Sequence, residues 1–429
     1  MLTATGISFR TDMTSPTSRR RSHLRVLSLF CVLAACGSQS ATTQVSPEAW
    51  RADLRELARE LPRRHANAFH TVSAQQFAAE VAELDAAIPH LNADESLVRL
   101  MRIVASVGDG HTHLDAPPSW PRYPVELMWI GDELRVVAMT ASYRVTAGAR
   151  VLGIGNLSLD SVMVLTSRLV PRGENAGRTR GTATVLLTSP ALLHGLGVTA
   201  SQDAAPFVLR TAAGKVDTMT LHPASAREMA SLQLAIEKPP FWLRRLGEAW
   251  WTEVLPGGNT VYLSFSRYPP EAEFRKRSEA LGQLLDECGA TRLVIDLRRN
   301  EGGDFELFRH VLLPVIRIRP AFRRKGSVYA ITGPVTFSAA MVNALDLRRE
   351  VNAVLVGEPT GARPNSYSEH GEFRLSNSGL RVSYSTRHYR FAADVDTAVV
   401  PDVHIEPSWR QFQSGRDPVL DWILAQPIR

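Results

Sequence analysis

Val328-Tyr-Ala-Ile-Thr-Gly-Pro-Val-Thr-Phe-Ser-Ala-Ala340 runs from a β-type stretch, Val328 to Ile331, through a Gly-Pro turn into a helical stretch, Ala339 to Arg349. A strand that feeds a helix is half of a β-α unit, and the pattern repeats on both sides. Val261-Tyr-Leu-Ser-Phe reads as a strand and Glu271 to Cys288 as a helix. Arg292-Leu-Val-Ile-Asp-Leu reads as a strand with a helix from about Phe305, and Ala353-Val-Leu-Val-Gly as a further strand. Repeated units of this length predict an α/β fold with a mostly parallel sheet and helices packed on it. Reactive groups then collect at the carboxyl ends of the strands, where Ser338 stands. Its hydroxyl is exposed there, and the first free N–H groups of the helix point at the same spot. Serines before helices are most often plain N-caps, so Ser338 gains weight only from what surrounds it.

Upstream, Ser46-Pro47-Glu48 reads as an N-cap and first helical turn, with Trp50, Leu54, Leu57 and Leu61 at helical spacing. Ser73-Ala-Gln-Gln76 is a capping-box pattern before Phe77, Val81, Leu84 and Ile88. A third helix is expected from about Asp94 through Leu97, Leu100, Met101 and Val104. Residues 118–225 change character: Leu134-Arg-Val-Val-Ala, Ala149-Arg-Val-Leu-Gly-Ile and Phe207-Val-Leu-Arg are strand-like. Trp242, Trp250 and Trp251 follow, and read as packing between units rather than a ligand cage.

Four segments carry candidate chemistry. They are Val107-Gly-Asp-Gly-His-Thr-His-Leu114, Asp296-Leu-Arg-Arg-Asn-Glu-Gly-Gly303, the Ser338 turn, and Val356-Gly-Glu-Pro-Thr-Gly-Ala-Arg363 with Pro364-Asn-Ser-Tyr-Ser-Glu369 behind it. A serine hydroxyl needs a base within hydrogen-bond reach to act as a nucleophile. A developing oxyanion needs fixed donors. The N–H of Ala339 is one, and Gly302 or Gly303 offers the other, because a residue without a side chain lets backbone approach a substrate.

In order and spacing these segments resemble the C-terminal-processing (tail-specific) serine peptidase family, over roughly residues 46–425. The resemblance implies a ClpP/crotonase-like catalytic core, here 226–429, an N-terminal helical domain, 46–117, and a PDZ-like β-rich inserted domain, 118–225. Gly148-Ala-Arg-Val-Leu-Gly-Ile-Gly-Asn-Leu-Ser-Leu-Asp160 is similar to a PDZ segment. In the family's Ser–Lys branch a lysine follows "G-E-x-T-x-G". This chain has Arg363 there, and arginine does not give up its proton. The Ser/His branch, resembling the tricorn protease core, places its histidine in a segment like Gly-His-Thr-His. His111 is therefore the expected base, with His113 second and Lys325 the fallback. A histidine base needs a carboxylate to hold its tautomer. Glu369 is the first candidate, with Asp394 and Asp396 as alternatives near Val395-Asp-Thr-Ala-Val-Val-Pro-Asp402. Arg363 is left to bind a substrate carboxylate, or to pair with Glu358 or Glu369. His111 and His113 form only an H-x-H pair with no second close ligand pair, so neither a metal nor a cofactor is expected.

The formal net charge of +6 sits largely at the N-terminus. Residues 1–36 hold five arginines against Asp12, and removing them takes +4 away, leaving no argument for nucleic acid. Arg19-Arg20-Arg21, an apolar run from Val26 to Ala35, and Leu33-Ala34-Ala35-Cys36 read as a signal peptide ending in a lipobox. Cys36 would carry the lipid, 37–45 would be a tether, and the product would sit in a bacterial cell envelope, facing the periplasm or exterior. Cys288 would then be the one remaining cysteine, leaving no internal disulfide. The expected activity is peptide-bond hydrolysis by a membrane-tethered Ser-His peptidase acting on a peptide or protein substrate. Two rival classes are an inactive peptide- or lipophile-binding protein on the same scaffold, and an envelope scaffold docking partner C-termini. Both differ from the first in needing no histidine beside Ser338.

Overall fold

The computed structural model describes residues 45–115, 120–171, 173–393 and 397–427. Cys36, Asp394 and Asp396 lie outside the described residues. The architecture is mixed α/β with three sheets.

The β-α repeats form a six-stranded sheet. Its strands are Trp250–Val254, Thr260–Phe265, Arg292–Asp296, Val328–Thr332, Val354–Gly357 and Val403–His404, side by side in that order. All neighbours pair parallel except the first two. Period-2 alternation buries both faces. Val261, Leu263, Leu293, Ile295, Val328, Ala330 and Leu355 pack with helices Glu271–Glu287 and Ala339–Val351. Tyr262, Val294, Tyr329, Ile331, Val354 and Val356 face the other way, onto Val419, Leu420 and Ile423 of helix Pro418–Ala425. Each such buried aliphatic contributes about 1.5–3 kcal/mol. Trp250 and Trp251 lie buried in the edge strand, one facing each core, and Trp242 lies 5.1 Å from the Arg298 guanidinium.

The N-terminal stripes form helices Pro47–Arg64, Ala74–Ala87 and Ala93–Ser106, opened by Ser46 and by capping boxes at Ser73/Gln76 and Asn92/Glu95. Their apolar faces close on Leu375, Leu380 and Val382. Those residues belong to a long antiparallel hairpin, Asn365–Arg374 with Arg381–Arg390, whose second strand also pairs with His113–Asp115. Buried Asp53 accepts the Asn377 and Ser378 N–H groups at 2.9 and 2.8 Å, clipping the hairpin turn to the first helix. The hairpin thus carries the chain that follows strand Val354–Gly357 back onto the first helices, where its second strand pairs with the residues just after His111.

The intervening chain forms an antiparallel sheet of Val125–Ile130, Glu133–Met139, Arg150–Ile154, Ala205–Arg210 and Val216–Leu221, in that order, with two short strands beside it. Helices Leu159–Ser167, Ala176–Leu186 and Pro190–Gly195 interrupt the β character read from the sequence there. Among the described residues, no helix is long and apolar enough to cross a membrane.

Candidate active site

Ser338 occupies the N-cap position of helix Ala339–Val351 but does not cap it. A capping serine has negative φ and gives its oxygen to the helix. Ser338 has φ +49° and ψ −125°, and its side chain makes no capping bond. A non-glycine residue in this region costs roughly 1–3 kcal/mol and persists only where neighbours impose it. The Phe337 N–H donates to the Asn300 carbonyl at 3.0 Å, and the Gly361 N–H to the Thr336 carbonyl at 2.9 Å. The Thr336 hydroxyl donates to the Leu297 carbonyl at 2.8 Å. These bonds hold the turn, and the freed Ser338 Oγ lies 3.0 Å from His111 Nε2. The imidazole and the hydroxyl come from positions 227 residues apart. Ser368 Oγ approaches the same nitrogen at 3.4 Å.

Two buried carboxylates hold the His111 turn. Asp109 accepts from the His111 N–H, the Thr112 hydroxyl, the Ser385 hydroxyl and His65 Nε2. The Asn67 N–H donates to His65 Nδ1 at 2.8 Å, so Nε2 carries the proton and donates to Asp109 at 2.9 Å. Burial pushes the Asp109 carboxyl up, but its interactions with His65, His70 and Ser385 outweigh that and hold it far below the ordinary carboxylate range. Glu174 accepts the Gly110 N–H at 3.0 Å and the Arg363 N–H at 2.8 Å, bridging the first and fourth motif segments. Burial raises the Glu174 pKa, partly opposed by these two bonds.

Burial also depresses His111, to about 4, with Arg178, His113 and His370 adding repulsion and Asp109 opposing them. The ring is therefore neutral near pH 7 and free to accept a proton. Its ring centre lies 4.9 Å from that of Phe337, with the two planes tilted by 31°. Its Nδ1 is buried and has no hydrogen-bond partner among the described residues.

The double-glycine turn lies against the serine. A Cβ on Gly302, at φ +117°, would stand 2.7 Å from Ser338 Cβ, so only glycine fits. The Gly302 N–H, however, donates to Asn300 Oδ1 at 2.9 Å. Asn300 is fully buried, and its Nδ2 donates to the Phe265 carbonyl. Of the two glycines, Gly303 keeps an N–H without an acceptor among the described residues, as does Ala339. Behind the turn, Arg298 is clamped between Asp296 and Asp417 at 2.5 and 2.6 Å.

Glu369 is not beside His111. The hairpin ladder skips it because its φ is +63°, and the left-handed backbone sends its exposed carboxylate to the Tyr389 hydroxyl. This corrects the expectation that it orients the base. His113 turns away as alternation demands, with Nε2 3.1 Å from Asp115. Lys325 lies before strand Val328–Thr332 and Ser338 after it, so the strand's length separates them. Arg363 enters the site through its backbone bond to Glu174. Asp109, Glu174 and Asn300 were missed as organising residues, although Asp109 and Asn300 lie inside the quoted motifs. His65, His70 and Asp109 also bring three ligand-type atoms within 4.8 Å of one another. The His65 tautomer explains that group as a hydrogen-bonded assembly, since its Nε2 lone pair is already protonated.

The arrangement can deprotonate a hydroxyl and stabilise an oxyanion with backbone donors. Compared by sequence, the chain matches no protein-family model and no curated protein. Among solved structures it is similar to mature CPAF, at 12% identity and TM-score 0.61, over 88% of this chain and 96% of that one. Mature CPAF complexed with lactacystin gives 11% identity and TM-score 0.60, over 88% of this chain and 97% of that one. The photosystem II D1 C-terminal processing protease overlaps less well, at 14% identity and TM-score 0.41 over 88% and 99%. The chain therefore has the fold of mature CPAF.

Proposed function

We propose that this protein is a serine peptidase of the tail-specific family, with a ClpP/crotonase-like core and a PDZ-like insert. The 3.0 Å approach of His111 Nε2 to the strained Ser338 carries the reading. His111 removes the hydroxyl proton as Ser338 Oγ attacks the peptide carbonyl, and returns it to the leaving amine. The Ala339 and Gly303 N–H groups receive the oxyanion. The likeness to the fold of mature CPAF and the four ordered segments support the same reading. A non-catalytic binder would need no imidazole at that distance.

The pH profile tests it. The base form is the neutral ring, and burial holds its pKa at about 4 rather than the ordinary value near 6.5. Activity is expected to hold as pH falls from 8 to about 5, then decline through about 4 as the imidazole charges. A kcat/KM profile half-lost near pH 6.5 would contradict the buried base.

We also propose a lipid-anchored cell-envelope location, supported by Leu33-Ala34-Ala35-Cys36 after its apolar run. Wild-type protein expressed in a bacterial host is expected to incorporate labelled palmitate, and Cys36→Ala to incorporate none. Equal labelling of both would remove the anchor.

A further inference from the structure

Three non-glycine residues among those described have positive φ: Ser338, Asn352 and Glu369. Asn352 has an ordinary reason, since it ends helix Ala339–Val351 in the left-handed conformation that commonly closes helices. The other two stand at the two hydroxyls beside the base. Ser338 is one of them, and Glu369, at φ +63°, directly follows Ser368 in strand Asn365–Arg374. Residues in such conformations persist only where their surroundings impose them, and they gather at working sites. Ser368 is half-buried, and its Oγ lies 3.4 Å from His111 Nε2. Among the described residues that hydroxyl has no other hydrogen-bond partner. Tyr367, one position earlier, points the other way, its ring 4.4 Å from that of His70. Nε2 of a neutral imidazole offers one lone pair, and Ser338 Oγ at 3.0 Å has the better claim on it. The Ser368 hydroxyl is therefore spare in the resting protein.

Acylation changes that balance. Once Ser338 Oγ is esterified it has no proton to donate. His111, having passed its proton to the leaving amine, is neutral again with Nε2 open. Deacylation needs a water at that nitrogen. The 3.4 Å between Ser368 Oγ and Nε2 is short enough for one water to touch both at about 2.8 Å. Resting on the peptidase reading, we propose that Ser368 is a positioning residue for the second half of the reaction, holding the hydrolytic water against His111. The Ser368 hydroxyl donates to the water's oxygen, the water donates to Nε2, and its remaining lone pair faces the acyl carbonyl. The bond from the water's oxygen to the carbonyl carbon forms as the water's proton passes to Nε2. The bond from that carbon to Ser338 Oγ then breaks as the proton moves on to Oγ, releasing a carboxyl end and restoring the serine.

The test uses a peptidyl 4-nitrophenyl ester ending at the mapped cleavage site, since an activated ester acylates fast and leaves deacylation to limit turnover. In Ser368→Ala, kcat is expected to fall about tenfold and KM with it, leaving kcat/KM near the wild-type value. The burst of 4-nitrophenolate is expected to keep its full amplitude, and the acyl group to accumulate on Ser338, where peptide mass spectrometry finds it. The rate of fluorophosphonate labelling, which needs Ser338 and His111 but no water, is expected to stay the same. Ser368→Thr, which keeps a hydroxyl on the strand, is expected to restore part of kcat. A merely structural role would lower the burst amplitude or the labelling rate with no build-up of acyl-enzyme, and that result overturns the assignment. An unchanged kcat in Ser368→Ala overturns it as well. Both outcomes leave the peptidase standing, whereas a wild-type protein that shows no burst and takes no fluorophosphonate overturns both readings.

Discussion

Ser338→Ala is expected to lower peptide hydrolysis by about 10⁴–10⁶-fold, with no loss of folded protein. The oxygen removed is the one 3.0 Å from His111 Nε2. Nothing else depends on it, because Ser338 makes no capping bond to helix Ala339–Val351. The melting temperature is expected to change little, since alanine must still adopt φ +49°. His111→Ala is expected to cost a similar factor, because nucleophile and base act as a unit and their losses do not add. The double variant should be no worse than either single one. Near-normal turnover in Ser338→Ala would mean that the hydroxyl is only a neighbour of the imidazole. Near-normal turnover in His111→Ala would send the search for a base to another group.

Asp109→Asn is expected to be the most damaging change outside that pair, lowering kcat/KM by about 10²–10³-fold and stability by about 2–4 kcal/mol. Asp109 accepts from four groups that face it as donors: the His111 N–H, the Thr112 and Ser385 hydroxyls, and His65 Nε2. An asparagine keeps one acceptor oxygen and turns a second donor toward donors. The loop then shifts, and His111 moves with it. The two effects separate by measurement: thermal melting reads the stability, and turnover well below the melting transition reads the displaced base. Its charge is stabilising above the ordinary carboxylate pKa, and that contribution is lost only on strong acidification, because the folded-state value is depressed. Wild-type turnover in Asp109→Asn would show that the His111 turn does not depend on this carboxylate.

Much of the six-stranded sheet was legible because its strands are buried on both faces and read as short apolar runs between helices. Thr260–Phe265, Arg292–Asp296, Val328–Thr332 and Val354–Gly357 fall within a residue or two of the expected runs. The edge strands Trp250–Val254 and Val403–His404 are not among the expected runs. The hairpin Asn365–Arg374 with Arg381–Arg390 escaped for a different reason. Ser366, Ser368, Glu369, His370 and Glu372 are polar on both faces of its first strand, so alternation carries no signal there. That omission explains the misplacement of Glu369, whose direction depends on one left-handed residue in the ladder. The approach of His111 to Ser338 was legible from motif context. Glu174 was not, because its partners Gly110 and Arg363 lie far away in the chain and meet only in the folded protein. Asn300 was quoted within its motif, but that its side chain takes up the Gly302 N–H is a matter of coordinates rather than composition.

The most direct test is to react the purified protein with an uncharged fluorophosphonate and map the adduct by peptide mass spectrometry. One phosphonyl group on Ser338 is expected, with a reaction rate that falls sharply in His111→Ala. No adduct, an adduct on another residue, or a rate indifferent to His111 would contradict the assignment of Ser338 as a nucleophile activated by that imidazole.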